Sequence, residues 1–157
     1  MPPRTRGAAK DRVGTGRQLI QLAQVIVRLE ELVLQDISIS YRQMRIIKHV
    51  HGGVESATAL GAYFGVTAPA ISETLESLVK KGLLRREPHP DDRRSVRLLL
   101  TEAGEKMYRR SQAAEDDLSL EILETVSDTD LKRLEMLVAA MLERNQDRLI
   151  MKRRRKA

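Results

Sequence analysis

From Arg17 to Asp36 eleven of twenty positions are apolar: Leu19, Ile20, Leu22, Ala23, Val25, Ile26, Val27, Leu29, Leu32, Val33 and Leu34. A helix that buries one face needs about three apolar positions per seven, so this helix has a surplus and should bury a second face against another chain. A second helix is announced at Ser40. Ser40 and Gln43 have the spacing of a capping box, and Ile39 and Met44 that of a hydrophobic staple. Tyr41, Met44, Ile47 and Val50 form its inner stripe, and His51-Gly52-Gly53 ends it. Ser56 opens a short helix through Leu60, Tyr63 and Phe64 that stops at Gly65, and Thr67 caps the next, with Pro69 in its first turn. Short helix, tight turn and capped second helix make a helix-turn-helix.

In that fourth helix Ile71, Leu75, Leu78 and Val79 follow i, i+4, i+7, i+8 and define the inner stripe. Pro69, Glu73, Glu76, Ser77 and Lys80 fall opposite, with Ala70 beside them. Gly82 ends the helix. Leu83–Glu87 and Ser95–Leu100 read as strands, the second by alternation of Val96, Leu98 and Leu100 with Arg97 and Leu99. The stretch between them, Pro88 to Arg94, is a charged hairpin tip, so the unit reads as a winged helix. Thr101 caps a long helix carrying Ala103, Met107, Ala114, Leu118 and Ile122. Ser127, with Asp130 three residues on, starts the last, whose stripe is Leu131, Leu134, Leu137, Val138, Met141 and Leu142.

The predicted fold is therefore mainly α: six helices with a two-stranded hairpin wing, paired as a homodimer through the N- and C-terminal helices. The boundaries are a flexible basic arm over 1–16, a dimerisation helix over 17–36, a winged helix-turn-helix over 37–101, C-terminal dimerisation helices over 102–151 and a basic tail over 152–157. A length of 157 residues suits one such domain with arms, and no internal repeat is found.

Charge adds direction to this picture. The net +6 is uneven, with 37–101 at +4, 18–36 at −2, 102–151 at −5, and ends of +4 (1–17) and +5 (152–157). A basic centre between acidic helices points to a polyanion on one face. Only four aromatics (Tyr41, Tyr63, Phe64, Tyr108) and no Trp argue against single-strand or RNA modules, which stack bases on exposed aromatic platforms. Without cysteine there is no disulfide, thiolate metal site or thiol switch. Charges interrupt the most apolar segment, so no membrane span is expected and the protein is read as cytoplasmic.

Several motifs now converge. They are Ser40/Gln43, Phe64-Gly65-Val66-Thr67 with Pro69 and Ser72, Leu75 through Leu78-Val79-Lys80-Lys81-Gly82-Leu83, Asp92 and Arg94 of the wing, and Leu100-Thr101-Glu102-Ala103-Gly104. In that order and spacing, over about Ile37 to Gly104, the chain resembles the MarR (multiple antibiotic resistance regulator) family of winged-helix transcription factors. The resemblance implies a homodimer, a recognition helix in the major groove, a wing in the minor groove, and a ligand crevice between the dimerisation and DNA-binding parts. It also implies that Asp92 holds Arg94 for DNA. Two departures stand out. Glu73 follows the serine of the recognition helix where many relatives carry a basic or neutral polar residue, and the cysteine sensor of some relatives is absent.

The DNA-contacting set expected here is Ser40, Thr67, Pro69, Ala70, Ser72, Glu73, Ser77, Lys80, Asp92, Arg93 and Arg94. Arg and Lys position the protein on phosphates, while Pro69, Ala70, Ser72 and Glu73 face base edges. Glu73 either accepts a hydrogen bond from cytosine N4 or is occupied within the protein near Lys80 or Ser77. The leading expectation is a repressor that binds a pseudopalindromic operator as a dimer and is released by a small-molecule effector, aromatic or anionic. Two rivals are an architectural protein binding DNA without sequence preference and a winged-helix protein-interaction module, for which Glu73 and Glu76 argue. No enzyme activity, cofactor or metal is expected. His49 and His51 lie about 200° apart on a helix, Gly14-Thr15-Gly16 lacks phosphate-loop spacing, and His89 with Asp91 and Asp92 reads as a solvated turn.

Overall fold

The computed structural model describes the backbone of residues 6–88 and 96–154 and, within it, the side chains of 11–67, 69–88 and 96–146. The element order is α1 (Arg6–Asp36), α2 (Tyr41–His51), α3 (Ala57–Phe64), α4 (Ala68–Lys80), β1 (Leu84–Pro88), β2 (Val96–Leu100), α5 (Glu102–Leu123) and α6 (Asp128–Arg154). Six helices and one antiparallel hairpin agree with the sequence reading. The chain forms two compact units, one up to Leu118 and the other from Ser119 onward.

In the first unit the core is made by α2, α3, α4 and the hairpin. Met44, Ile46, Ile47, Leu60, Leu75, Leu78, Leu84 and Leu98 are buried, with Leu34, Ile37 and Ile39 closing it from the end of α1 and the elbow after it. Ile46 joins this core although it lies off the stripe read from the sequence. The capping box is present in full. Ser40 Oγ accepts from the Gln43 N–H at 3.2 Å, and the Ser40 N–H donates to Gln43 Oε1 at 3.1 Å. The hairpin pairs Leu84 with Leu100 through Pro88 with Val96, one residue later at each strand start than the sequence suggests. The Leu98 N–H donates to the Glu55 carbonyl at 2.7 Å and holds the hairpin against the loop before α3.

Gly104 shows how tightly α5 meets this core. A Cβ there would stand 2.1 Å from the Leu83 carbonyl oxygen, so only glycine allows the approach. Thr101 caps α5, its Oγ1 accepting from the Gly104 N–H at 3.0 Å. Two turns beyond Gly104, Ser111 is wholly buried, its hydroxyl donating to the Tyr108 carbonyl at 2.8 Å and lying 3.0 Å from Met44 Sδ of α2.

Two expected boundaries shift. The arm over 1–16 is helix from Arg6 onward, so α1 is longer than the 17–36 segment; residues 1–5 lie outside the described part. Gly7, Gly14 and Gly16 each cost roughly 1 kcal/mol against alanine. Adding turns to a nucleated helix is cheap by comparison, and Ala8, Ala9, Lys10 and Arg12 favour it. The tail over 152–157 is likewise helical through Arg154.

The apolar surplus of α1 remains outside the core. Leu19, Ile20, Leu22, Val25, Val27, Leu29 and Leu32 are all exposed. The second unit contains α6, whose start is capped by Ser127, Oγ accepting from the Asp130 N–H. Along it Leu131, Leu134, Met136, Leu137, Val138, Met141 and Leu142 are exposed.

Candidate nucleic-acid interface

The approach to α4 is built from backbone. Gly65 takes a left-handed conformation (φ 68°) and the Val66 N–H donates to the Gly61 carbonyl at 2.9 Å, closing α3. Two residues later Thr67 is the N-cap of α4. Its hydroxyl makes no capping bond, a correction to the cap read from sequence: the extended backbone of Thr67 turns the chain, and Pro69 fixes the first helical turn.

Along α4 Ile71, Leu75 and Leu78 are buried, while Pro69, Ala70, Glu73, Glu76 and Lys80 are exposed and Ser72 and Ser77 half-buried. Val79, expected on the inner stripe, is 36% exposed, because it lies about 80° around the helix from Ile71. The outward face is therefore small or polar side chains standing on a closed apolar stripe.

The structure divides the sequence-selected residues. Thr67, Pro69, Ala70, Ser72, Glu73, Ser77 and Lys80 share one helix, its side chains described except at position 68. Ser40 lies at the start of α2 with its hydroxyl used as a cap. Among the described residues Glu73 forms no ion pair with Lys80 and no hydrogen bond with Ser77. Asp92, Arg93 and Arg94 lie outside the described residues. Below them the hairpin stem is held by Glu87, which pairs with Arg97 at 3.0 Å across the register and with Arg85 at 3.3 Å. Arg86 is exposed with no carboxylate partner among the described residues, and so is Arg42 in the first turn of α2. Sequence reasoning passed over both. The net charge of 37–101 was the available signal, but it does not say which arginines are spoken for.

Behind this face sit two titratable groups. Burial, and then the charge of Arg45, hold His49 below its ordinary value of 6.5; its ring lies 3.7 Å from that of Tyr63. Arg45 in turn caps the Phe64 ring at 4.7 Å. Burial and the neighbouring Glu115 carboxylate raise Glu30 of α1 above its ordinary 4.5, against the pull of Lys48 and Arg45. Lys48 bonds Glu115 at 2.5 Å. His51 turns the other way, stacking on Tyr108 at 3.9 Å and meeting Glu105 at 3.2 Å. The two histidines thus diverge, and no group of metal-ligating side chains occurs among the described residues.

Two cavities adjoin these elements. One, of about 630 Å3, is lined by Glu31 and Gln35 of α1, Ser38 and Ile39 of the elbow, Ser40 to Gln43 of α2, and Lys81. The other, of about 250 Å3, lies between Tyr41, Arg42, Arg45, Phe64 and the start of α4 at Ala70 and Ile71. No helix among the described residues is long and apolar enough to cross a membrane.

Comparison with known proteins places this arrangement. The sequence model of the MarR family matches residues 37–95, a range that holds α2, α3, α4 and β1. The wild-type apo form of MarR from E. coli is 25% identical, with 81% of this chain and 95% of that chain covered and a TM-score of 0.73. A mutant of the same protein complexed with operator DNA is 25% identical, covering 84% and 96% with a TM-score of 0.66. A mutant of MepR from S. aureus has the same fold at 16% identity, covering 82% and 96% with a TM-score of 0.74. Sequence match and fold converge on the helices that carry the exposed polar face: residues 37–95 match the MarR family, and the fold is similar to that of the MarR winged-helix regulator of E. coli, including the form complexed with operator DNA.

Proposed function

We propose that the protein is a cytoplasmic homodimeric repressor that reads a pseudopalindromic operator and is released by a small molecule. The observation that carries this is α4, a helix whose inner stripe is fully closed while Pro69, Ala70, Glu73, Glu76 and Lys80 are left exposed. Ser72 lies at its edge. That surface fits base edges in a major groove. Lys80, Arg42 and Arg86, which have no carboxylate partner among the described residues, supply cations for phosphates, and Ser40 and Thr67 stand at helix starts that add N–H groups. Arg94, with Asp92 and Arg93, is assigned to the minor groove by the family resemblance alone. A mutant of the E. coli protein is known in complex with operator DNA, and a similar structure is described as the multiple antibiotic resistance repressor, MarR, which supports operator binding and repression.

Dimerisation is supported by the exposed apolar residues of α1 and, separately, of α6. Each series exceeds what a soluble single chain tolerates. Two-fold symmetry then sets half-sites about one helical turn apart, ~10 bp. The effector reading rests on the larger cavity. It offers Arg42 and Lys81 to an anion and Tyr41 to an aromatic ring, and its wall includes the residue after α4.

The test is selection of preferred duplexes from a randomised pool by the full-length protein, followed by competition against random DNA. A preferred two-fold-symmetric site is expected. Equal affinity for all duplexes would favour the architectural reading, and no binding would favour the protein-interaction reading.

A further inference from the structure

One side chain at the start of α2 does more than cap its own helix. Gln43 Oε1 accepts from the Ser40 N–H at 3.1 Å and from Lys81 Nζ at 3.1 Å, while Gln43 Nε2 donates to Ser77 Oγ at 3.0 Å. Lys81 also donates to the Ser38 carbonyl at 3.1 Å, at the elbow residue with φ 63°. The orientation of the amide is forced. A backbone N–H and an ammonium can only donate, so Oε1 must face both, and the NH2 group must face Ser77.

This fixes the proton of Ser77. With a lone pair taken by Gln43, its hydroxyl cannot donate back to that amide nitrogen, and no hydrogen bond donated by Ser77 occurs among the described residues. Ser77 lies about 40° around the helix from Glu73, at the edge of the outward face. Its O–H is therefore presented as a donor beside that face. The same amide holds Lys81 back against the elbow, whereas Lys80 is exposed with no carboxylate partner among the described residues.

We infer that Gln43 is a specificity-determining positioning residue for operator recognition: it never touches DNA, but orients Ser77 as a hydrogen-bond donor to it and locks the rotation of α4. This deepens the reading given above and rests on it. A glutamate at position 43 would complete the capping box equally well and keep Lys81. It would, however, accept from Ser77 and turn that proton inward.

The test uses full-length protein and the duplexes selected by the wild type, with random duplex as competitor. Gln43→Glu should leave urea unfolding and dimerisation unchanged yet lower the operator-to-random affinity ratio about tenfold or more, the size of a lost base contact. Taking a ratio removes the sequence-independent effect of the added charge. Ser77→Ala should lower the ratio by a similar factor, and the double variant no further than either single one. An unmoved ratio in Gln43→Glu, or factors that multiply in the double variant, would overturn the inference. If the wild type prefers no duplex, the functional reading falls and takes this one with it; a preferred duplex with an unmoved ratio overturns the role of Gln43 alone.

Discussion

Two helices of this protein leave a face outside for opposite reasons. On α4 Ile71, Leu75 and Leu78 are buried, and what remains outside is proline, alanine, carboxylate and ammonium, with Val79 at the rim. On α6 the outside positions include Leu131, Leu134, Leu137, Val138, Met141 and Leu142, the residues its sequence pattern marks as a core stripe, and Met136 beside them. An apolar face in water costs roughly 25 cal/mol for each Å2 left uncovered, so it calls for protein surface. A polar face on a finished core has no such cost and calls for a polar partner. The same chain thus carries one apolar surface that calls for protein and one polar surface that calls for a polar partner.

Truncating one leucine from each kind of surface should break this contrast most visibly. Leu75→Ala removes a buried side chain and should cost about 2–5 kcal/mol, with a shift of the urea midpoint that persists at every protein concentration. Leu137, 63% exposed in the single chain, has no such core to lose. Leu137→Ala should instead raise the dimer dissociation constant, so that its loss of stability fades as protein concentration rises. Sedimentation across a concentration series separates the two, and a stable folded wild-type monomer at micromolar concentration would refute the covered face.

Gly104→Ala sharpens the closed side of the comparison. The added methyl meets the Leu83 carbonyl at 2.1 Å, and because that atom is backbone the hairpin and α5 must move apart. A cost of about 3 kcal/mol is expected, read from urea unfolding, against a gain of roughly 1 kcal/mol for Gly14→Ala in the helix α1, where a Cβ meets nothing.

The polar face is probed by Glu73→Gln. Since no ion pair occupies this carboxylate among the described residues, it is available to accept from cytosine N4. The substitution should relax preference at one base pair per half-site, by about 1–3 kcal/mol. A uniform gain in affinity for operator and random DNA would show repulsion in place of reading.

The smallest effect is a pair of opposite pH responses. The native state holds His49 below 6.5 and so favours its neutral form; His49 withdraws stability as pH falls below 6.5 and the unfolded chain takes up the proton first. Glu30 is held above 4.5, so the native state favours its protonated form and stability falls as pH rises above 4.5. Unfolding of His49→Gln and Glu30→Gln across pH 4 to 8 should flatten one arm each.

Sequence by itself determined the element order, the capping box at Ser40 and Gln43, the stops at Gly65 and Gly82, and the outward residues of α4. These depend on neighbours within a few residues, where helical periodicity and backbone preference act. It also marked α1 and the last helix as carrying more apolar surface than one fold consumes. Tertiary structure alone decided what depends on partners far along the chain. Ile46 sits inside because hairpin, elbow and helices meet as they do. Thr67 caps with its backbone only. Arg97 is claimed by Glu87 across the hairpin while Arg42 and Arg86 remain available. Gln43, read locally as a cap, reaches Ser77 and Lys81, 34 and 38 residues away. A local pattern cannot encode such pairings, because a side chain's second bond is set by whichever element folding brings beside it.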